Sequence, residues 1–251
     1  MMTTRQLKKR ERKQMGERKG VLVTDVRGFA NPVIARRLME AGADVVGADP
    51  SVDTEMREEG LHLVAWSDPA RIVESAVDRL GGRLDAIVIS PAMPAPRTPV
   101  EALSADVLEA YFSRIAIQSL LFASAAAIHM RRAKSGRIVF GTSSGPIGGI
   151  PGFAAYAAAR SAVNGAVRTL ALELAPDGVS VNAVAPNFIQ TETYYPRALL
   201  EDPVKGPKLL ARVPMGRLGE AEEVASVIEL LVLGRSGFVS GQVIPISGAW
   251  C

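Results

Sequence analysis

From Gly20 to Ser247, short β-branched segments alternate with longer amphipathic ones, and the short segments are apolar throughout rather than at every second position. Those read as strands are GVLVTD (20–25), ADVVGAD (43–49), LHLVAW (61–66), DAIVIS (85–90), GRIVFGTS (136–143), VSVNAVAP (179–186) and GQVIPIS (241–247). Between them lie helical patterns. The first is opened by Pro32 and stopped by Gly42; the others cover 68–82, 103–133, 153–175 and 221–234. Strands that are apolar on both faces belong in a parallel sheet covered by helices on both sides. The pattern predicts one α/β domain over 20–251. It is a doubly wound Rossmann-type fold with a seven-stranded parallel sheet in three αβα layers. Ligands of such sheets bind beyond the carboxyl ends of the strands. A binding site is therefore expected just past Asp25, Ser90, Thr142–Ser143 and Pro186.

Composition removes several classes of function. With 48% hydrophobic residues in 251, the chain has enough apolar material for a sizeable core, which excludes a disordered or disulfide-stapled chain. Cys251 is the single cysteine, so no intrachain disulfide forms. With only His62 and His129 beside it, no metal-ligand set is expected. Apolar runs are broken by Gly, Pro or charge before about 18 residues, so no membrane span is expected. The N-terminus lacks the apolar stretch of a secretory signal. These features point to a soluble, cytoplasmic protein. Residues 5–19 hold eight Lys/Arg and two Glu, so six net positive charges sit there and the remainder carries −3. Residues 1–19 are read as a solvated basic extension rather than a binder of nucleic acid or anionic lipid.

The first strand-to-helix turn is where a dinucleotide would need glycines, which let the backbone approach the pyrophosphate. It reads Thr24-Asp-Val-Arg-Gly-Phe-Ala-Asn31. Against the TGxxxGxG pattern of short-chain dehydrogenases/reductases, the three glycine positions hold Asp25, Phe29 and Asn31. A carboxylate at Asp25 repels phosphate, and a ring at Phe29 fills cofactor space. Asp49, ending the second strand, is then read as a turn or cap residue. SPAM (90–93) stands where those enzymes usually carry NNAG.

The second half departs far less. Ser143 ends the fifth strand, Tyr156 opens a helix thirteen residues later, and Arg160 lies four beyond it on the same helix face. With SVNAVAP, RLGEAEEVA and SGQVIPISG, the chain from about Val21 to Gly248 resembles the short-chain dehydrogenase/reductase family, whose active pair is Tyr-x-x-x-Lys. The family's asparagine on the long helix falls near Ala116. Ser-x12-Tyr-x3-Arg, together with Thr24-x4-Phe29, is similar to the halohydrin dehalogenases, cofactor-independent relatives of that family. Asn31 departs from the glycine many of them carry.

That resemblance implies no cofactor and the catalytic set Ser143, Tyr156 and Arg160. A permanently charged guanidinium beside a phenol favours phenolate, which suits Tyr156 as general base. It implies a halide or nucleophile site at Phe29, Pro186, Asn187, Phe188 and Ile189, formed by a nest of backbone N–H groups and aromatic walls; the stretch also reads as a plain turn. Thr24, Met93, Tyr194 and Tyr195 are candidates for the substrate pocket, with packing roles equally open for Met93 and the two tyrosines. The implied reaction converts a vicinal halohydrin to an epoxide, halide and a proton, and in reverse opens epoxides with azide, cyanide or nitrite. The resemblance implies that the Ala-rich faces at 121–128 and 154–163 pair between subunits in a homotetramer, and Trp250 is expected against a neighbouring subunit. The competing readings are an NAD(P)-dependent oxidoreductase with a degenerate loop and a non-catalytic scaffold.

Overall fold

The computed structural model describes residues 18–192, 194–234 and 236–251. Parallel pairing runs through β1 (Gly20–Thr24), β2 (Asp44–Ala48), β4 (Leu61–Val64), β5 (Ala86–Ile89), β6 (Gly136–Gly141), β7 (Val179–Pro186) and β8 (Val243–Ile246). The expected seven parallel strands are all there. An eighth, β3 (Met56–Glu58), adds antiparallel to β4 at one edge, giving the order β3-β4-β2-β1-β5-β6-β7-β8. This strand is three residues long and fully exposed, so it carries no apolar pattern. Its one local signal is Glu59-Gly60, both at positive φ, the backbone of a tight hairpin turn.

Helices cover both faces: α1 (Asn31–Glu40), α2 (Pro69–Arg79), α3 (Ala105–Ala133), α4 (Gly145–Gly148), α5 (Ala154–Leu174), α6 (Arg197–Glu201), α7 (Lys205–Leu210) and α8 (Ala221–Val232). Helix α3 begins two residues later than expected because Ser104 caps it, its Oγ accepting from the Val107 N–H at 3.3 Å. By length and composition α3 could cross a membrane, contrary to the sequence expectation. Here Phe122, Ala126 and Met130 bury one side of it in the core. A π-helical stretch, Phe112–Ile117, interrupts it and aims Arg114 at the end of β1. Along α5, Ala155, Ala159, Val163, Val167, Ala171 and Leu174 are buried at helical spacing. The basic extension falls mostly outside the described residues. Its last two residues are anchored instead: Lys19 Nζ donates to the Val232 carbonyl at 3.1 Å, and Arg18 pairs with Asp44 at 3.5 Å.

The turn after β1 is held by side chains. Asp25 is 2% exposed and forms an ion pair with Arg114. Its Oδ1 also accepts from the Ala92 N–H at 3.2 Å, while Oδ2 has no partner. The charge expected to repel phosphate is therefore matched from within by α3. Burial outweighs Arg114 and pushes the Asp25 carboxyl up to about 6 from its ordinary 3.8. Between about pH 4 and 6 the folded chain thus keeps a proton that the unfolded chain has released, and stability falls as pH rises through that window. Comparing wild type with Asp25→Asn in denaturant melts from pH 4 to 7 should show this slope only in wild type, with a span on the order of 2–3 kcal/mol. The unpaired Arg114 of the variant adds an offset that does not depend on pH. A pH-independent difference between the two proteins would refute the assignment.

Candidate active site

At the carboxyl end of the sheet lies a cavity of about 520 Å³. Its floor comes from the ends of β5, β6 and β7 and its side from α5. The segment 190–218 closes it, packing Leu209, Val213 and Leu218 with Phe188 and, at their edge, Tyr195 and Trp250. Ser143, Tyr156 and Arg160 all line it, as the spacing required. Ser143 sits two residues past β6, with its Oγ accepting from the Gly145 N–H at 3.0 Å. That bond leaves the hydroxyl proton free to donate into the cavity.

Arg160 is 5% exposed. Its guanidinium carbon lies 5.1 Å from the centre of the Tyr156 ring. Its Nη1 donates to the Gly141 carbonyl at 2.9 Å and its Nη2 to the Pro91 carbonyl at 2.8 Å. Among the described residues no carboxylate neutralises it. The cation–π contact is thus buried, not the surface pairing that Tyr-x-x-x-Arg most often gives. Two further phenols crowd Tyr156: Tyr111 meets its ring edge-on at 6.1 Å, and Tyr194 lines the same cavity. Burial raises the Tyr111 phenol and pushes that of Tyr194 up to about 12. Both therefore stay protonated at working pH. Tyr111 was not singled out in the sequence, because it carries no motif.

The remaining expected residues divide. Phe29, Pro186, Asn187, Phe188, Ile189, Tyr194 and Tyr195 line the cavity. Thr24 and Met93 do not. Thr24 is fully buried, its Oγ1 accepting from the Ser90 N–H at 3.2 Å to tie β1 to β5. Met93 packs on the core and offers its carbonyl to the Tyr194 hydroxyl at 2.9 Å. The expected nest of backbone N–H groups is largely spent. Asn187 N–H donates to the Ile246 carbonyl at 2.9 Å, and Phe188 N–H donates to Asn187 Oδ1 at 2.9 Å. Beside the Ile189 N–H, the Asn187 side-chain amide offers a buried Nδ2 that has no partner. Facing it is an aromatic wall: Phe188 stacks on Tyr195 at 5.8 Å, and Phe29 meets Tyr194 edge-on at 6.0 Å. Trp250 packs on Phe188 of its own chain at 5.4 Å. A Cβ on Gly148 would run into its ring.

The fold raises the question of a dinucleotide, and the turn after β1 does not fit one. The N–H groups of Val26, Arg27, Gly28 and Asn31 donate to Ala48 O, Asp49 Oδ2, Asp25 O and Gly28 O. A pyrophosphate would therefore find few free donors. Asp49 is occupied as a turn residue, holding the Ser51 N–H and hydroxyl besides Arg27. Asn31 does not reshape the cavity. It is fully buried, and its Nδ2 stitches the Asp25 and Ser90 carbonyls at 2.9 Å each.

Comparison with known proteins shows both sides of this site. The family model described as Enoyl-(Acyl carrier protein) reductase matches residues 25–249. The human dehydrogenase/reductase SDR family member 4 is 30% identical over 243 residues, covering 90% of this chain and 84% of that protein. The 3-oxoacyl-[acyl-carrier-protein] reductase of Salmonella typhimurium is 30% identical over 246 residues, covering 92% and 97%. Among solved structures, one described as a dehalogenation enzyme superposes with a TM-score of 0.87 at 36% identity, covering 93% of this chain and 98% of that one. A halohydrin dehalogenase bound to ethyl (2S)-oxiran-2-ylacetate superposes with 0.84 at 26% identity, covering 91% and 95%. Fold, strand order, the Ser143–Tyr156 pair and these matches together establish that the chain belongs to the short-chain dehydrogenase/reductase family.

Proposed function

We propose that this protein is a halohydrin dehalogenase, converting vicinal halohydrins to epoxides without a nicotinamide cofactor. The observation that carries the reading is Arg160, a buried cation without a carboxylate partner, set against Tyr156 in a cavity beside a turn closed to a dinucleotide. The likeness to a solved dehalogenation enzyme at 36% identity supports it. Ser143 and Tyr156 hold the substrate hydroxyl. Tyr156 takes its proton, and the Arg160 guanidinium stabilises the negative charge this requires. The alkoxide oxygen attacks the neighbouring carbon as the carbon–halogen bond breaks, and the bond electrons leave with the halide. The Asn187 Nδ2 donor and the positive edges of Phe29 and Phe188 receive the anion. Run backwards, the same site opens epoxides with small anions. As part of this reading we carry a homotetramer: Ile117, Leu121 and Ile128 on α3 are each about half exposed, an apolar face suited to subunit contact.

Halide release from a vicinal bromo- or chloro-alcohol, followed in buffer free of nicotinamide cofactor, is the direct test. Absence of release across a broad panel would sink the reading, and NAD(P)H-dependent carbonyl reduction would replace it. Tyr156→Phe should lower kcat by about 10²–10⁴-fold while leaving the thermal midpoint nearly unchanged. Asn187→Ala should weaken bromide as a product inhibitor roughly tenfold, the scale of one hydrogen bond to a charged group. Unaltered bromide inhibition would place the halide elsewhere.

A further inference from the structure

The cavity has a second polar end that proton transfer and halide departure leave unused. Arg97, Lys205, Lys208 and Arg212 line it there, and no Asp or Glu lines it anywhere. Arg97, on the loop after β5, places its guanidinium carbon 5.7 Å from the centre of the Phe153 ring. Phe153 in turn meets the Tyr156 ring edge-on at 6.4 Å. Arg212, just past α7, lies 5.2 Å over Phe188, which stacks on Tyr195. Both guanidiniums act on the Tyr195 phenol, each lowering a value that burial raises. Two arginines from distant segments therefore line the same cavity. Among the described residues, the one carboxylate within ion-pair reach of the four cations is Asp202, 3.9 Å from Lys205.

Like charges gathered at one mouth repel one another unless an anion joins them. Guanidiniums held over aromatic rings still have N–H donors to offer an oxyanion. Arg97 stands one ring removed from Tyr156, behind Phe153. We propose that this mouth binds an oxyanion carried by the substrate itself, with Arg97 and Arg212 as specificity-determining residues. The substrates are then halohydrins or epoxides bearing a carboxylate or a phosphate ester several bonds from the reacting carbons. That substrate class rests on the dehalogenation reading; the oxyanion site does not.

The test uses the full chain and two readouts. In the first, kcat and KM are measured for a vicinal chlorohydrin with a terminal carboxylate, for its phosphate-ester analogue, and for the neutral primary amide. In the second, calorimetry follows binding of the matching halogen-free hydroxy acid, hydroxyalkyl phosphate and hydroxy amide. The expected result is at least a tenfold preference for one of the oxyanions over the amide, expressed in KM and in binding. The preference should shrink with added salt. It should collapse toward one in Arg97→Gln and Arg212→Gln and be partly restored in Arg97→Lys. Which oxyanion gains more assigns the group. Equal handling of acid, phosphate and amide overturns the proposal, as do variants that lower all three alike or weaken only bromide or azide. If no halohydrin releases halide but the calorimetric preference exists and is lost in the variants, the dehalogenation reading fails and the oxyanion site stands.

Discussion

Arg160 is the fixed point of this site. Its two hydrogen bonds go to the carbonyls of Gly141, ending β6, and Pro91, just past β5, so the register of adjacent strands sets the position of the charge. A buried cation without a carboxylate costs several kcal/mol in desolvation. Carbonyl dipoles and the Tyr156 face offset part of that, and what is left over is positive potential in the cavity. A lysine would not reproduce this, because its compact ammonium lacks the planar fork that puts separate nitrogens on the two carbonyls while the guanidinium carbon lies over the Tyr156 ring. Gly141 is part of the arrangement: a Cβ there would meet Ser90 Oγ at 2.3 Å.

The turn after β1 carries larger side chains at glycine positions of the family pattern without rebuilding the sheet. Asp25 and Phe29, two of the three positions where the family pattern has glycine, are both in the left-handed region at φ 50°. The backbone conformation that glycine favours is kept while larger side chains occupy it, at a cost of about 1–2 kcal/mol each. Asn31 and the Arg114 pair compensate by fastening the turn to β5 and α3. Gly28, the one glycine left, is needed for another reason: a Cβ there would stand 2.3 Å from the Cβ of Ala92.

Much of this was legible in the chain. Strand composition read out the parallel sheet, and the Ser143, Tyr156 and Arg160 spacing located the cavity, because both depend on local periodicity. What escaped depends on contacts distant in sequence. β3 is polar and pairs only at an edge. Arg114 reaches Asp25 through a π-helical turn that no residue pattern announces. Thr24 and Met93 belong to elements bordering the cavity, but their side chains face the core. Two of the expected nest's N–H groups are taken, one of them because Asn187 folds its own side-chain carbonyl oxygen back onto the Phe188 N–H, which composition could not foretell.

Trp66 and Trp250 are the two tryptophans of the chain. Trp66 lies under the Arg114 guanidinium at 5.5 Å, while Trp250 meets the Phe188 ring. Each indole therefore touches one of the two places where this chain departs from a nucleotide-binding site. The intrinsic emission of the protein is a two-channel reporter: one fluorophore senses the ion pair that fastens the turn, and the other lies next to the ring where the proposed function would bring a heavy, quenching bromide.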